Sequence, residues 1–140
     1  MKIGLLTIHN ANNYGAILQA FATKYILSYY GEVKTINYNN KYITRHSKIL
    51  RFEFSIHGLK MLIHDLARLP FRISVINKIN SFINNNLNLT TLYSSKDLMN
   101  NKSENFDLYV CGSDQIWNPS IINRYRVLDE IYLLGFVEKG

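Results

Sequence analysis

The stretch KIGLLTI at residues 2–8, followed by HNANN at residues 9–13, decides the fold class. The first stretch is a short apolar run of the kind that forms buried strands, and the second has the composition of a turn. From Ala16 to Tyr30 apolar residues recur at three- and four-residue spacing, which predicts a helix that Gly31 ends in a left-handed conformation. Val33–Tyr38 predicts a second strand. This order predicts a βαβ unit and a Rossmann-like parallel sheet with flanking helices.

The segment from residue 39 to residue 105 is more polar, and it predicts a largely helical insertion and connector. A first helix should end at Pro70, and a second should run from Arg72 to about Asn84. The apolar face of the first helix is predicted to consist of Ile56, Leu59, Leu62, Ile63, Leu66 and Leu69.

Two further elements precede the carboxyl-terminal part of the chain. Leu87–Tyr93 is predicted to be extended or irregular, and Ser94 with Asp97 matches a capping box that opens a short helix to about Asn100. Phe106–Cys111 is a compact apolar run, as expected of a buried parallel strand. Cys111 itself is interpreted as a small buried hydrophobic residue.

Composition restricts the class of protein. The chain has 140 residues, 47% of them hydrophobic, which is enough for the core of one domain. One cysteine cannot form an internal disulfide. The apolar start is too short for a signal peptide, and no apolar stretch approaches the roughly 18 residues of a membrane span. The sequence therefore predicts a cytoplasmic protein.

The formal net charge is +6, and the excess lies mainly between Lys41 and Arg72. No nucleic-acid-binding pattern accompanies it, so we expect no nucleic-acid partner. Two interpretations stay open for this stretch: peripheral docking to the inner face of an anionic membrane, or a solvated helix face. The four histidines show no metal-ligand spacing, so we expect no metal. Three of them are interpreted as solvated or packed: His46, His57 and His64.

The loop after the first strand is the first candidate ligand site. Because it has a single glycine, it is neither a dinucleotide-binding loop nor a phosphate-binding P-loop. Its amide and hydroxyl groups suit sugar hydroxyls, beside the partial positive charge of a helix start. The candidate contacts are His9, Asn12, Asn13, Tyr14 and Gly15. The alternative is that an asparagine merely caps the helix and His9 is packed.

The loop after the Phe106–Cys111 strand is the second candidate. Asp114 is the natural general base, and Trp117 offers a flat apolar face for a sugar ring. The other candidate contacts are Gly112, Ser113 and Gln115. The alternative is a turn-forming Asp114 with Trp117 in the core.

Taken together, three stretches resemble the polysaccharide pyruvyl transferase family. They are KIGLLT at residues 2–7, NNYGAILQA at residues 12–20, and FD at residues 106–107 continuing to GSDQIWNP at residues 112–119. The resemblance implies two Rossmann-like domains that face each other as in GT-B glycosyltransferases. It also implies transfer of the enolpyruvyl group of phosphoenolpyruvate to two sugar hydroxyls as a ketal, with release of phosphate and without a cofactor.

On this resemblance, residues 1–140 are the amino-terminal Rossmann-like domain, and the carboxy-terminal domain is absent from the chain. The two loops would face the acceptor, which is a sugar of a polysaccharide or lipid-linked glycan in capsule, exopolysaccharide or cell-wall synthesis. Cations for phosphoenolpyruvate would lie in the missing domain, so we expect the fragment alone to be inactive. Two alternatives remain: a glycosyltransferase-like enzyme that uses a nucleotide sugar, and a non-catalytic sugar-binding remnant.

Overall fold

A computed structural model of the chain describes residues 1–11, 13–44, 58, 60, 63, 66 and 69–137, and only the backbone of Arg72 and Asp114. The elements are β1 (Lys2–Leu6), α1 (Tyr14–Leu27), β2 (Glu32–Tyr38), α2 (Lys41–Thr44), α3 (Leu69–Asn86), β3 (Leu89–Tyr93), α4 (Ser95–Met99), β4 (Leu108–Cys111), a 3-10 turn (Asp114–Trp117) and α5 (Pro119–Ile122). The four strands form one parallel sheet in the order β3-β2-β1-β4. The predicted α/β class with a parallel sheet and flanking helices is confirmed.

Helices α1 and α3 cover one face of the sheet. Ile3 and Leu5 of β1 pack with Val33 of β2 because alternate residues of a strand point to the same face. Helix α1 adds Leu27 to this group, and its residues Ile17 and Ala20 pack against α3. The α1–α3 cluster consists of Ile17, Ala20, Ile79, Ile83 and Leu87. This packing fixes the first helix above the sheet and therefore fixes where its amino terminus lies.

The opposite face is covered mainly by residues that follow β4. Leu6 and Ile36 point to this face, where they join the largest buried cluster. The other members from the carboxyl-terminal part are Ile116, Ile122, Ile131, Tyr132 and Phe136. Although residues 124–137 form only turns and irregular structure, they build core. A sheet covered on both faces is what a parallel architecture requires.

The predicted role of Gly31 was wrong. Helix α1 ends at Leu27 with Ser28 as its cap, and no described glycine has a positive φ. A Cβ at Gly31 would instead collide with the carbonyl oxygen of Met1. That oxygen accepts a hydrogen bond from the N–H of Glu32 at 2.9 Å, so glycine is needed for the close approach of two backbones at the start of the sheet.

The strand after residue 106 is parallel as predicted, but it is not buried. Leu108 is 41% exposed, because β4 pairs with β1 alone in the described sheet. Cys111 is half-buried rather than buried, and burial raises the pKa of its thiol. A raised pKa keeps the thiol protonated and poorly nucleophilic.

Between residues 39 and 105 some predictions agree with the structure and others do not. Leu89–Tyr93, predicted only as extended or irregular, is the strand β3. The capping box is confirmed, since the Ser94 hydroxyl accepts from the N–H of Asp97 at 3.2 Å and the carboxylate accepts from the N–H of Ser94 at 2.9 Å. The predicted break at Pro70, with a helix starting at Arg72, was wrong: α3 begins at Leu69 and includes Pro70 in its first turn, where the missing N–H costs nothing.

Most of the helix predicted before Pro70 falls outside the described residues, including Ile56, Leu59 and Leu62. Of its predicted apolar face, Ile63 and Leu66 are exposed. His46, His57 and His64 also lie outside the described residues. Within the described part of the chain, no helix has both the length and the apolar character needed to cross a membrane.

Candidate functional site

The sheet changes its direction of growth between β1 and β4. After β1 the chain adds β2 and β3 on one side, and it then places β4 on the other side of β1. At such a switch point the loops that follow the two strands diverge and leave a crevice at the carboxyl ends, where open α/β sheets bind their ligands. These loops are the two that the sequence singled out, so the topology places both candidates at one edge of the sheet.

A cavity of about 490 Å³ lies between the two loops, and we call it the switch-point cavity. Asn13 and Gly15 line it from the first loop, and Ser113 and Gln115 line it from the second. The remaining lining residues are Ile8, Ala11, Ala16, Gln19, Ile43 and Ile121. Its volume is within the range of small-molecule sites. No charged side chain is among the described residues that line it.

Asn13 is both a helix cap and a cavity residue. Its side-chain oxygen accepts hydrogen bonds from the N–H groups of Gly15 at 2.9 Å and Ala16 at 3.3 Å. The capping interpretation is therefore confirmed for Asn13. Because the oxygen is committed to the cap, the amide nitrogen is the atom that remains to donate to a ligand in the cavity.

Gln19 lines the cavity, but the sequence did not predict it as a site residue. Its side-chain oxygen accepts from the Thr7 hydroxyl at 3.2 Å, and its nitrogen donates to the Thr23 hydroxyl at 2.8 Å. The signal that could have identified it is helical spacing, since Gln19 stands four residues after Gly15 and three after Ala16. The apolar lining residues were missed because an isoleucine beside a strand is ordinarily assigned to the core.

The second loop is held to the core by its 3-10 turn. Ile116 is buried in the large cluster, and its N–H donates to the carbonyl of Ser113 at 3.2 Å. The peptide bond between Gly112 and Ser113 is cis. This anchoring brings Ser113 and Gln115 into the cavity lining, on either side of Asp114 in the sequence.

Several predicted contacts are not among the described lining residues. Tyr14 is 60% exposed and Trp117 is 48% exposed, so Trp117 is not a core residue either. Gly112 has open space on its Cβ side. Asn12 and the side chain of Asp114 lie outside the described part of the structure.

His9 is packed, as the alternative interpretation held. It is 2% exposed and lines a neighbouring cavity of about 220 Å³ together with Asn10 and Asn37. Its Nδ1 lies 3.1 Å from the carbonyl oxygen of Thr7, and its Nε2 lies 3.2 Å from the side-chain oxygen of Asn37. The backbone carbonyl only accepts, so Nδ1 carries the hydrogen.

Burial lowers the pKa of His9, although both of its hydrogen bonds oppose that shift. In a neutral ring whose hydrogen is on Nδ1, Nε2 accepts a hydrogen bond and needs a donor. The amide nitrogen of Asn37 is that donor when a half-turn of the carboxamide exchanges its oxygen and nitrogen. His9 therefore ties β1 to β2 beside the first loop, and it is not among the described residues that line the switch-point cavity.

We expect the stability of the protein to depend on His9 in mildly acidic solution. Its folded-state pKa lies below the unfolded value of 6.5, so the unfolded chain binds more protons as the pH falls. The contribution of the neutral ring is present above pH 6.5 and is lost as the pH falls through the folded pKa. Urea denaturation between pH 7.5 and 5 should show a smaller loss of stability for His9→Gln than for the unmodified chain.

The exposed Asn85→Gln variant is the control for this experiment because it changes no titratable group. It should keep the pH dependence of the unmodified chain. If His9→Gln keeps that dependence as well, His9 is not a buried neutral residue and does not have the structural role assigned to it.

In the described part of the chain, no three His, Cys, Asp or Glu side chains come together in an arrangement that could hold a metal ion. The described lining of the switch-point cavity offers amide, hydroxyl and apolar groups only.

Comparisons with known proteins identify no relative of this chain. The chain matches no family model, no curated protein and no solved structure.

Proposed function

We propose that this chain is the acceptor-binding, amino-terminal domain of a pyruvyl transferase of the polysaccharide-modifying type. The switch-point cavity is the proposed site for a sugar of a polysaccharide or lipid-linked glycan. One observation carries the proposal: the two loops that bear the family resemblance are far apart in the sequence, yet Asn13 and Gly15 of one and Ser113 and Gln115 of the other line the same cavity.

The chemistry of the lining supports a neutral polyol as the ligand. Asn13, Ser113 and Gln115 offer groups that hydrogen-bond to hydroxyls, while Ile43 and Ile121 offer apolar surface. A sugar has both a rim of hydroxyls and apolar C–H faces, so it satisfies both kinds of lining. An anion would be less well accommodated, because no described lining residue supplies a positive charge to offset its desolvation.

Asp114 is the proposed general base. Ketal formation requires that a sugar hydroxyl lose its proton as it attacks, and a carboxylate within reach of that hydroxyl can take it. The backbone of Asp114 opens the 3-10 turn between two residues that line the cavity. Its position in the chain next to Ser113 and Gln115 supports the assignment.

The donor is expected to bind elsewhere, in the partner domain of a GT-B-like arrangement. Phosphoenolpyruvate carries a carboxylate and a phosphate, and stabilising them during transfer requires cations near the reacting atoms. We therefore expect the 140-residue chain to release no phosphate from phosphoenolpyruvate when a glycan acceptor is added. Phosphate release above the rate without acceptor would contradict this division of roles.

Ligand-detected NMR tests the class of ligand. Saturation transfer from the protein to a set of methyl glycosides should identify at least one that binds, and Gln115→Ala should weaken the effect. Gln115 is exposed and its side chain bonds to no other described residue, so its loss should leave folding intact. Asn85→Ala removes an exposed amide from α3 and serves as the matched control.

The same measurement separates the alternatives. Stronger saturation of UDP-glucose than of any glycoside, with the same dependence on Gln115, would favour a glycosyltransferase-like enzyme. Absence of saturation for every glycoside at millimolar concentration would contradict the proposed acceptor site.

A further inference from the structure

A third cavity, of about 480 Å³, lies where β2 and β3 end, and we call it the basic cavity. Three cationic residues line it: Lys41, Lys96 and Arg124. It is distinct from the switch-point cavity, because the described linings of the two share no residue. The short helices α2 and α5 separate them: Ile43 and Ile121 line one cavity, and Lys41 and Ile122 line the other.

The wall of the basic cavity is fixed by Asp129. Its Oδ2 accepts from the hydroxyl of Tyr38 at 2.9 Å and from the amide nitrogen of Asn40 at 3.2 Å. Its Oδ1 accepts from the N–H of Ile131 at 3.0 Å. Burial, and then the Asp129 charge, raise the pKa of Tyr38 above its usual range, so the phenol remains a donor. Both carboxylate oxygens are therefore engaged in holding the wall.

The three cations come from three separate parts of the chain. Lys41 begins α2, Lys96 lies in α4, and Arg124 follows α5. None of them forms an ion pair with a described residue, in contrast to Lys34, whose ammonium lies 2.7 Å from a Glu104 carboxylate oxygen. The described lining thus carries three positive charges against the single negative charge of Asp129. A concave surface concentrates the field of such an excess.

We propose that the basic cavity binds the phosphate group of a small phosphorylated ligand. The Asp97 carboxylate, which accepts from the hydroxyl of the lining residue Ser94 at 2.6 Å, offsets part of the positive excess, but positive charge still predominates around the cavity. A phosphate monoester, with a charge of about −1.5 to −2 at neutral pH, suits these surroundings. Arg124 can present two parallel N–H donors, and the two ammonium groups can contact the remaining oxygens. This proposal does not rest on the pyruvyl transferase assignment.

Two sources of phosphate fit this chemistry, and the probes distinguish them. Glucose 6-phosphate combines a phosphate monoester with a neutral polyol, whereas pyrophosphate represents the diphosphate of a carrier-linked glycan. Isothermal titration of the 140-residue chain at low salt should show saturable binding of inorganic phosphate. Tighter binding of glucose 6-phosphate would identify the first source, and tighter binding of pyrophosphate would identify the second; either order supports the site.

Charge-removing variants test the location. Lys96→Gln and Arg124→Gln should each weaken phosphate binding by about threefold to tenfold, and the double variant by about thirtyfold. Lys78→Gln removes the same charge from an exposed position of α3 and should leave the affinity within twofold. Both cavity residues are exposed, so unchanged urea midpoints should confirm that the variants are folded.

Two results would overturn the proposal. One is equal affinity of the Lys96, Arg124 and Lys78 variants, which would mean that phosphate binding depends only on the net charge of the protein. The other is binding to anionic phospholipid vesicles without binding of any of the three soluble phosphate compounds, which would make the cations part of a membrane-facing surface.

Discussion

Replacement of Asn40 by alanine should lower the free energy of unfolding by about 3 kcal/mol, because it leaves several buried polar groups without partners. Asn40 is buried, and its side chain makes four hydrogen bonds. Its oxygen accepts from the N–H groups of Tyr42 and Ile43 at the start of α2. Its nitrogen donates to the carbonyl of Ile122 at 3.0 Å and to Asp129 at 3.2 Å.

These four bonds join the end of β2 to α2, to α5 and to the irregular segment after α5. Asn40→Ala should therefore weaken the wall between the two cavities as well as the fold. Urea denaturation at neutral pH measures the loss. Asn39→Ala is the matched control, since the adjacent side chain makes no hydrogen bond in the described part of the chain. A loss no larger than that of Asn39→Ala would contradict the role of Asn40.

Replacement of Ile121 by tryptophan should abolish glycoside binding, with a loss of affinity of about fiftyfold or more, because the added indole occupies the space that a sugar ring needs. Ile121 lines the switch-point cavity and is 43% exposed. A larger side chain at this position extends into the cavity or over its mouth rather than into the core. The free energy of unfolding should therefore change by no more than about 0.5 kcal/mol.

Leu133→Trp is the control for this experiment. Leu133 is similarly exposed but does not belong to the described lining of the cavity, so the variant should bind glycosides like the unmodified chain. Titration calorimetry with the glycoside that shows the strongest saturation transfer gives both affinities. Undiminished binding in Ile121→Trp would place the sugar outside the switch-point cavity.

Local patterns predicted those parts of the fold that local interactions stabilise. The apolar runs of β1 and β2 and the periodicity of α1 were sufficient to predict these elements, because the spacing of apolar residues shows which face of an element is buried. Ser94 and Asp97 were found because a capping box is complete within four residues. Asn13 was identified as a cap candidate for the same reason.

The remaining features depend on contacts between distant residues. Strand β3 has no regular alternation, so only its pairing with β2 makes it a strand. Burial of Ile131, Tyr132 and Phe136 has no periodic signal, since their segment consists of turns. A spacing rule could not predict them.

The candidate site was predictable as two loops but not as a surface. Sequence patterns identified Asn13, Ser113 and Gln115. Part of the apolar lining comes from helices α2 and α5, which belong to other parts of the chain. His9 was proposed as a contact because it follows a strand. It is packed because its ring reaches Asn37 of the neighbouring strand, which the sequence does not reveal.

If the two loops form one sugar-binding site, a ¹H–¹⁵N correlation titration of the 140-residue chain with the selected methyl glycoside should show it. We expect the backbone amide signals of Gly15 and Gln115 to shift together and fit a single dissociation constant, while that of Lys78 on α3 does not move. Shifts confined to one loop, or different constants for the two loops, would contradict it.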